Sequence, residues 1–487
     1  MQRACLLTLG VATLLAACRP APEPPAPVPE PHRGPILWIT VDALRADVLG
    51  ALGGDPGLTP HLDALAAEAD WAEPAIAASS WTVPSMASLF TGLQPYRHGN
   101  WHAGRTVLAD ELETLPEALR ELGFRTVAFR SNTWLRQRSG YAQGFDQFYN
   151  LARGGRAAAH LSALDGGPEL VWAHVLPPHA PYVLYPELRD RLVGAPAELP
   201  ERVRPAELER WYDPQRALPA EERERLWALY RSNVAHADRV VGGLLDALRR
   251  SGRWDEALVI VTADHGEEFG EAGQITHGGN LDRVLIEVPL LIKLPAASGH
   301  RPLRPRAHVA NSRLFATILE LVGGTPGPEV LPSLLVAEDP PALSELYQGN
   351  GDNCHSLVAG GEQLLWHARF APVEPRYYDA RLAGVGGQPT APLGEPAAEI
   401  FGRLARAFLD APPLHGDPGA PPSTEVVRWR HDGASLGEAT LSLMLEAEWL
   451  RWNGPERPPR EAAPMPTLEL TPEEREELEA LGYLPGD

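Results

Sequence analysis

Residues 35–42 read Pro35-Ile36-Leu37-Trp38-Ile39-Thr40-Val41-Asp42. Apart from Thr40 the run is apolar without alternation, as in a strand covered on both faces, and it stops on a carboxylate. The same pattern returns at Ala257-Leu258-Val259-Ile260-Val261-Thr262, which leads into Asp264-His265-Gly266. Leu170 to Val175 is another apolar run. Leu115 to Leu122 has helical spacing and is followed by Gly123 and the strand-like residues 124–129. Residues 221–250 predict a long amphipathic helix, with Leu226, Leu229, Tyr230, Val234, Ala237, Val241 and Leu244 on one stripe. Strands alternating with helices predict an α/β fold, a mostly parallel sheet with helices on both faces. Such sheets gather their functional groups at the carboxyl ends of the strands. Asp42 and the Asp264-His265 pair stand there.

The rest of the chain is organised around this core. After about residue 330, prolines and glycines are frequent and the strands are shorter, which predicts a smaller antiparallel subdomain. Residues 412–422 read as an exposed loop, and Leu470-Thr471-Pro472-Glu473-Glu474 as the start of a terminal helix. The first twenty residues, MQRACLLTLGVATLLAACRP, read as a targeting signal. Arg3 supplies a positive start, and the apolar stretch Leu6 to Leu15 is too short to span a bilayer. Leu15-Ala16-Ala17-Cys18 has the pattern of a bacterial lipobox, so Cys18 is the expected lipidation site. Residues 19–35 are rich in proline and read as a semi-rigid spacer. The expected divisions are therefore a lipoprotein signal at 1–18, a linker at 19–35, a catalytic domain at 36–330 and a C-terminal α+β subdomain at 331–487. The expected location is the bacterial cell envelope, on its periplasmic or extracellular face, with the membrane reached through the lipid. Cleavage would leave Cys354 as the one further thiol of the mature chain. The net charge of −21 over 487 residues argues against a nucleic-acid groove. Lysine occurs once, at Lys293.

Four groups of residues carry the chemistry. Asp42 with Asp264 and His265 offers two carboxylates and an imidazole that converge on one divalent cation; an Asp closing a strand also serves as a turn former. Thr82, in Ser80-Trp81-Thr82-Val83-Pro84-Ser85, stands where a helix begins. Its hydroxyl fits a cap, or a nucleophile that ionises beside a metal and attacks phosphorus or sulfur. The free N–H groups of a helix start favour an anion at the same place. His179, in a proline-rich loop, and His277, in Ile275-Thr276-His277-Gly278-Gly279, fit a second metal, substrate oxygens or a leaving group. His174 is a further candidate ligand.

These pieces together resemble the sulfatase family of the alkaline-phosphatase superfamily, over most of residues 36–484. The matching stretches include ILWITVDALRAD, SSWTVPSMASLFTGLQPYRHG, GYAQGFDQFYN, HVLPPHAPY, VTADHGEEFGE and THGGNLDRVLIEVPLLIKLP. The resemblance implies an alkaline-phosphatase-like mixed sheet flanked by helices, with a smaller C-terminal subdomain. It implies metal ligation by Asp42, Asp264 and His265, and a nucleophile at Thr82. It also implies substrate- or metal-facing roles for His179 and His277, and an Asn132 amide that donates to the transferred group.

The departures from the family pattern shape the expected chemistry. Sulfatases proper convert Cys or Ser to formylglycine; threonine cannot yield that aldehyde because its Cβ carries a methyl group. The motif's arginine is Met86, and the usual second acid after Asp42 is Ala43. The family's sulfate-holding lysines have no counterpart, since Lys293 sits in an apolar run. The Asp-Asn pair of calcium sulfatases is Asp264-His265, which suits zinc or manganese better than calcium. Pro177 replaces the acid of a full second metal site, so one ion is expected and a second rests on His174. The expectation is a hydrolase of sulfate or phosphate esters that favours phosphorus and acts on small-molecule, glycan or lipid esters. The alternatives are a phospho-group transferase acting on surface glycan or lipid, and a degenerate member that only binds a surface ligand.

Overall fold

The computed structural model describes residues 30–383, apart from short stretches at 102–105, 152–154, 212–217, 297–302, 337–339, 341, 348–351, 360–361 and 370–377. Cys18 with its signal, most of the linker, the 412–422 loop and the terminal helix lie outside the described residues. The core is an eight-stranded sheet. Its strands are β1 (Pro35–Val41), β2 (Trp71–Ile76), β3 (Arg125–Arg130), β4 (Gln147–Asn150), β5 (Glu169–Val175), β6 (Leu258–Ala263), β7 (Glu287–Lys293) and β8 (Val309–Ala310). Their order is β8-β2-β7-β6-β1-β5-β3-β4. Only β7 runs against the others. All seven residues of β1 are buried, as a strand between two helical layers requires.

Register then places the site. Val41 pairs with Val175 on one side and with Ala263 on the other. The next residue on each outer strand end, Asp42 and Asp264, therefore leaves the sheet side by side. Thr40 pairs with His174, which puts that imidazole next to them. Lys293 pairs with Val259, at the opposite edge, where its ammonium donates to the Trp254 carbonyl at 2.9 Å. The sequence's one lysine is thus far from the carboxylate cluster.

The helices fall in two groups. Helix α5 (Ala220–Arg250) packs with α1 (Pro60–Glu68) and α4 (Arg156–Ser162). Every residue of its predicted apolar stripe is buried. Asp238 of α5 accepts from the His61 and Leu62 amides at 3.0 and 2.9 Å, capping the start of α1 from a distance. Helices α2 (Thr82–Thr91), α3 (Leu115–Glu121) and α6 (Leu314–Leu321) form the second group. Phe90 anchors α2 to the sheet. Its ring lies 5.4 Å from Trp38, 4.9 Å from Trp172 and 5.8 Å from Tyr141. Burial of such a ring is worth roughly 1.5–3 kcal/mol. Gly92 ends α2 at φ +68°, and a Cβ there would lie 2.5 Å from Val330.

The expected antiparallel strands after residue 330 are β9 (Ala342–Tyr347), β10 (Asp352–Ala359), β11 (Glu362–Arg369) and β12 (Tyr378–Ala383). They dock on the chain just before α2. The Ser344 hydroxyl donates to the Ala77 carbonyl at 2.6 Å, and the Glu345 amide to Ala78 at 2.8 Å.

Candidate active site

Asp42 and Asp264 are both fully buried. Asp42 Oδ2 accepts from Asn132 Nδ2 at 2.7 Å, and Asp42 Oδ1 lies 3.3 Å from His265 Nε2. Asp264 Oδ1 accepts from the Ala43 amide at 3.2 Å and the His265 amide at 2.9 Å. Its Oδ2 lies 3.6 Å from His265 Nε2. Ala43, where the family pattern would put a second acid, takes φ +58° and turns its N–H back toward Asp264. The Tyr230 hydroxyl of α5 holds that turn by donating to the Ala43 carbonyl at 2.9 Å.

Thr82 is the first residue of α2, and Trp81 is the N-cap. No side chain caps the helix, so the capping role open to Thr82 is not realised. Its hydroxyl points into the cluster instead. Oγ1 lies 3.3 Å from His265 Nε2 and 3.4 Å from Asn132 Nδ2. Nearby, the Ser85 hydroxyl donates to the Ser79 carbonyl at 2.8 Å and accepts from the Ser79 amide at 3.1 Å, which folds the chain into the helix.

His277 and His179 complete the cluster. The His277 ring centroid lies 4.5 Å from that of His265 and 4.8 Å from that of His179. Three nitrogens are engaged in the same sense. His265 Nδ1 donates to the Gly266 carbonyl at 2.8 Å, and His179 Nδ1 to the Ala180 carbonyl at 2.6 Å. His277 Nδ1 donates to Glu267 Oε1 at 2.9 Å. These partners set the Nδ1–H tautomer in the neutral rings and leave each Nε2 as the lone-pair nitrogen. The His179 loop is tied to α5, where Asn233 Nδ2 donates to the Pro181 carbonyl at 3.0 Å. The structure therefore brings all seven residues expected at the site into one group, six of them buried and His277 half-buried beside them. Glu267, Tyr230 and Asn233 were not foreseen. Glu267 stands in plain view within DHGEEFGE, but nothing in the sequence pairs it with His277.

The electrostatics of the group are those of excess negative charge in a dry place. Burial raises the Asp42 carboxyl, yet the His179, His265 and His174 imidazoles outweigh it and hold Asp42 well below the usual carboxylate range. Burial and the neighbouring Asp42 charge push Asp264 up to about 7. Burial opposes charge on His265, but Asp264 and Asp42 prevail and push it up to about 9. Burial pushes His174 down to about 4. Two buried carboxylates facing an imidazole lone pair need a positive charge between them, either a proton or a cation.

A divalent cation fits. Asp42, His174 and Asp264 each offer a ligand atom within 4.8 Å of the others. Asp42 Oδ1, Asp264 Oδ2 and both His174 nitrogens are buried without a hydrogen-bond partner. With His265 Nε2 beside them, the donor set mixes carboxylate and imidazole and suits zinc or manganese. At pH 7.5, loading the metal-free protein should release about one proton per ion, because His265 must give up its Nε2 proton to ligate. Calorimetric titration in buffers of different ionisation enthalpy reads that number; zero release would remove His265 from the ligand set.

Comparison with known proteins speaks to the family and the fold. The family model described as Sulfatase matches residues 35–160 and 156–324, which contain every residue of the candidate site. The chain is 25% identical over 356 residues to the ulvan-active sulfatase of Formosa agariphila, covering 65% of this chain and 66% of that protein. It is also 25% identical over 268 residues to a low-salt glycan biosynthesis sulfotransferase of Haloferax volcanii, covering 52% of this chain and 53% of that one. The chain thus spans two thirds or less of the length of these relatives. The phosphonate monoester hydrolase of Agrobacterium radiobacter shares the fold, with a TM-score of 0.57 and 20% identity, over 72% of this chain and 89% of that one.

Proposed function

The chain belongs to the sulfatase family, and on that premise we propose that it is a metal-dependent ester hydrolase with Thr82 as nucleophile and phosphorus as its favoured centre. The observation that carries the reading is the Thr82 hydroxyl, 3.3 Å from His265 Nε2 at the start of α2. A divalent cation held by Asp42, Asp264 and His265, with His174 as a further donor, would supply positive charge that acidifies the hydroxyl and offsets charge on the transferred group. Thr82 loses its proton to solvent, and Oγ1 then bonds to phosphorus as the bond to the leaving oxygen breaks. The Asn132 amide, 3.4 Å from Oγ1, donates to a non-bridging oxygen. His277, with Nδ1 fixed by Glu267, takes up a proton from solvent at Nε2 and passes it to the leaving oxygen, and the His179 ring lies tilted beside it. Water then displaces Oγ1, which takes up a proton to restore the hydroxyl.

Two features favour phosphorus over sulfate. Threonine cannot become formylglycine, and Lys293 is bound at the far edge of the sheet. With Cys18 lipidated, the site would work at the bacterial envelope on small-molecule, glycan or lipid esters. A second reading has support in the sulfotransferase-named relative: an acceptor hydroxyl replaces water in the second step, and the protein acts as a transferase.

The test is a panel of aryl sulfate, phosphate monoester, phosphodiester and phosphonate esters, each assayed with zinc, manganese and calcium. Phosphodiester or phosphonate turnover with zinc or manganese should exceed aryl-sulfate turnover at least about tenfold, near 1.4 kcal/mol in barrier. A strict aryl-sulfate preference would overturn the reading. Products formed on added glycerol or sugar acceptors would move it to the transferase.

A further inference from the structure

Two stretches of the sequence have no part in the chemistry above: Pro95 to Asn100, PYRHGN, and Gly140 to Asn150, GYAQGFDQFYN. In the fold they meet behind helix α2. The Tyr141 hydroxyl donates to the Val83 carbonyl at 2.6 Å and accepts from Asn100 Nδ2 at 3.0 Å. Asn100 Oδ1 accepts from the Thr106 hydroxyl at 2.8 Å. The Asn100 amide donates to His98 Nδ1 at 3.0 Å, which makes Nδ1 the acceptor and leaves Nε2–H to donate to Ser88 Oγ at 3.1 Å. The chain of bonds is closed: it leaves α2 at Val83, passes through Tyr141, Asn100 and His98, and returns to α2 at Ser88. Tyr141, Asn100, His98, Ser88 and Thr106 are all buried.

We propose that Tyr141, Asn100 and His98 form a clamp that sets the position of the Thr82 hydroxyl, with Tyr141 as a positioning residue for the transfer step. The inference rests on Thr82 as nucleophile. Three observations carry it. Val83 follows Thr82 directly, so its carbonyl, in the Val83–Pro84 peptide, belongs to the first turn of α2 beside the reacting residue. That turn has no side-chain cap, and Pro84 within it offers no N–H. Thr82 makes its two contacts at 3.3 and 3.4 Å, near the limit of a hydrogen bond, so a small rotation of the turn breaks both. Tyr141 is itself held from behind. Gly140 precedes it at φ +85°, and a Cβ there would lie 2.2 Å from the Leu108 carbonyl oxygen, so backbone packs directly on backbone. The phenol ring sits edge-on to Phe90 at 5.8 Å, and that contact survives loss of the hydroxyl.

Tyr141→Phe removes the hydroxyl and keeps the ring. With zinc- or manganese-loaded protein, kcat should fall at least about tenfold, since misplacement of a reacting group by an ångström costs as much or more. KM and bound metal should stay within about twofold, because the Tyr141 hydroxyl bonds the Val83 carbonyl and Asn100 and none of the candidate metal donors. A purely structural role would lower the melting temperature and leave kcat unchanged in the folded protein. Thr106→Val, at the outer end of the chain, should give a smaller fall in kcat with the same constant KM, and it decides the matter if Tyr141→Phe does not fold. Unchanged kcat in the folded variants, or a fall that tracks lost metal, overturns the clamp. Thr82→Ala separates this failure from that of the parent reading. If it also leaves turnover intact, the nucleophile is wrong; if it alone abolishes turnover, only the clamp is.

Discussion

Thr82→Ala is expected to lower turnover by at least about a thousandfold while the protein keeps its bound metal. Removal of a nucleophile that acts as one unit with its activating groups costs far more than loss of a single hydrogen bond. Metal should be retained because the candidate donors, the Asp42, Asp264, His265 and His174 side chains, lie together without Thr82. Folding is little affected. The hydroxyl caps no helix, and its neighbours keep other partners: Asn132 Nδ2 still donates to Asp42, and Trp81 remains the N-cap. Thr82→Ser keeps an alcohol at the same place and should retain measurable turnover, because the in-line attack needs the oxygen and not the methyl group. The measurements are kcat on the preferred ester and metal content by elemental analysis. Turnover of the alanine variant within about tenfold of the parent would remove Thr82 from the mechanism. Loss of metal in that variant would instead place the hydroxyl among the ligands.

The sequence carried the fold and half of this site because both depend on short-range pattern. A charge-free run that stops on an acid announces a central strand and its carboxyl end at once, and Asp42 and Asp264 were legible for that reason. Thr82 was legible as a helix start, but cap and nucleophile share the same local signature. Only the position of the Asp42 and His265 side chains, 40 residues upstream and 183 downstream, separates them. His174 was the harder case. It lies inside LVWAHV, where an imidazole reads as a core residue, and parallel register sets it opposite Thr40, two residues before Asp42, which brings a ring nitrogen within reach of both carboxylates. Tyr230 was read as one member of an apolar stripe. Its ring does that work, while its hydroxyl supports the Ala43 turn, and no periodicity reports a hydroxyl's partner. Asn233 belongs to the same class, since it fixes the His179 loop from 52 residues away; Glu267 is only ten residues from His277, yet no periodicity pairs the two.

Asp264→Asn should separate the cost of the site from its use. In the metal-free protein Asp264 is pushed up to about 7 from an ordinary 3.8, by burial and by Asp42 beside it. The folded chain therefore holds a proton that the unfolded chain has already lost. Stability from this group is complete below about pH 4 and is lost as pH rises through 7. His265 adds to the same slope, since it is pushed up to about 9 from 6.5, and its contribution is lost as pH rises through 9. Metal-free protein should thus melt at progressively lower temperature from about pH 7 to pH 9, above the range in which His174 and His98, lowered by burial, give the opposite slope. Asparagine keeps the oxygen that accepts from the Ala43 and His265 amides and removes the charge. The metal-free variant at pH 8 should melt several degrees above the metal-free parent and show a flatter pH dependence, as loss of a buried like-charge pair predicts. The order reverses with metal. The parent gains stability from bound ion, whereas the variant loses a charged donor, binds metal at least about a hundredfold more weakly and loses turnover in proportion. Melting curves with and without zinc or manganese from pH 5 to pH 9 read both halves. A metal-free variant less stable than the parent would show that the two carboxylates are not in conflict, and undiminished metal affinity would show that the ion is held elsewhere.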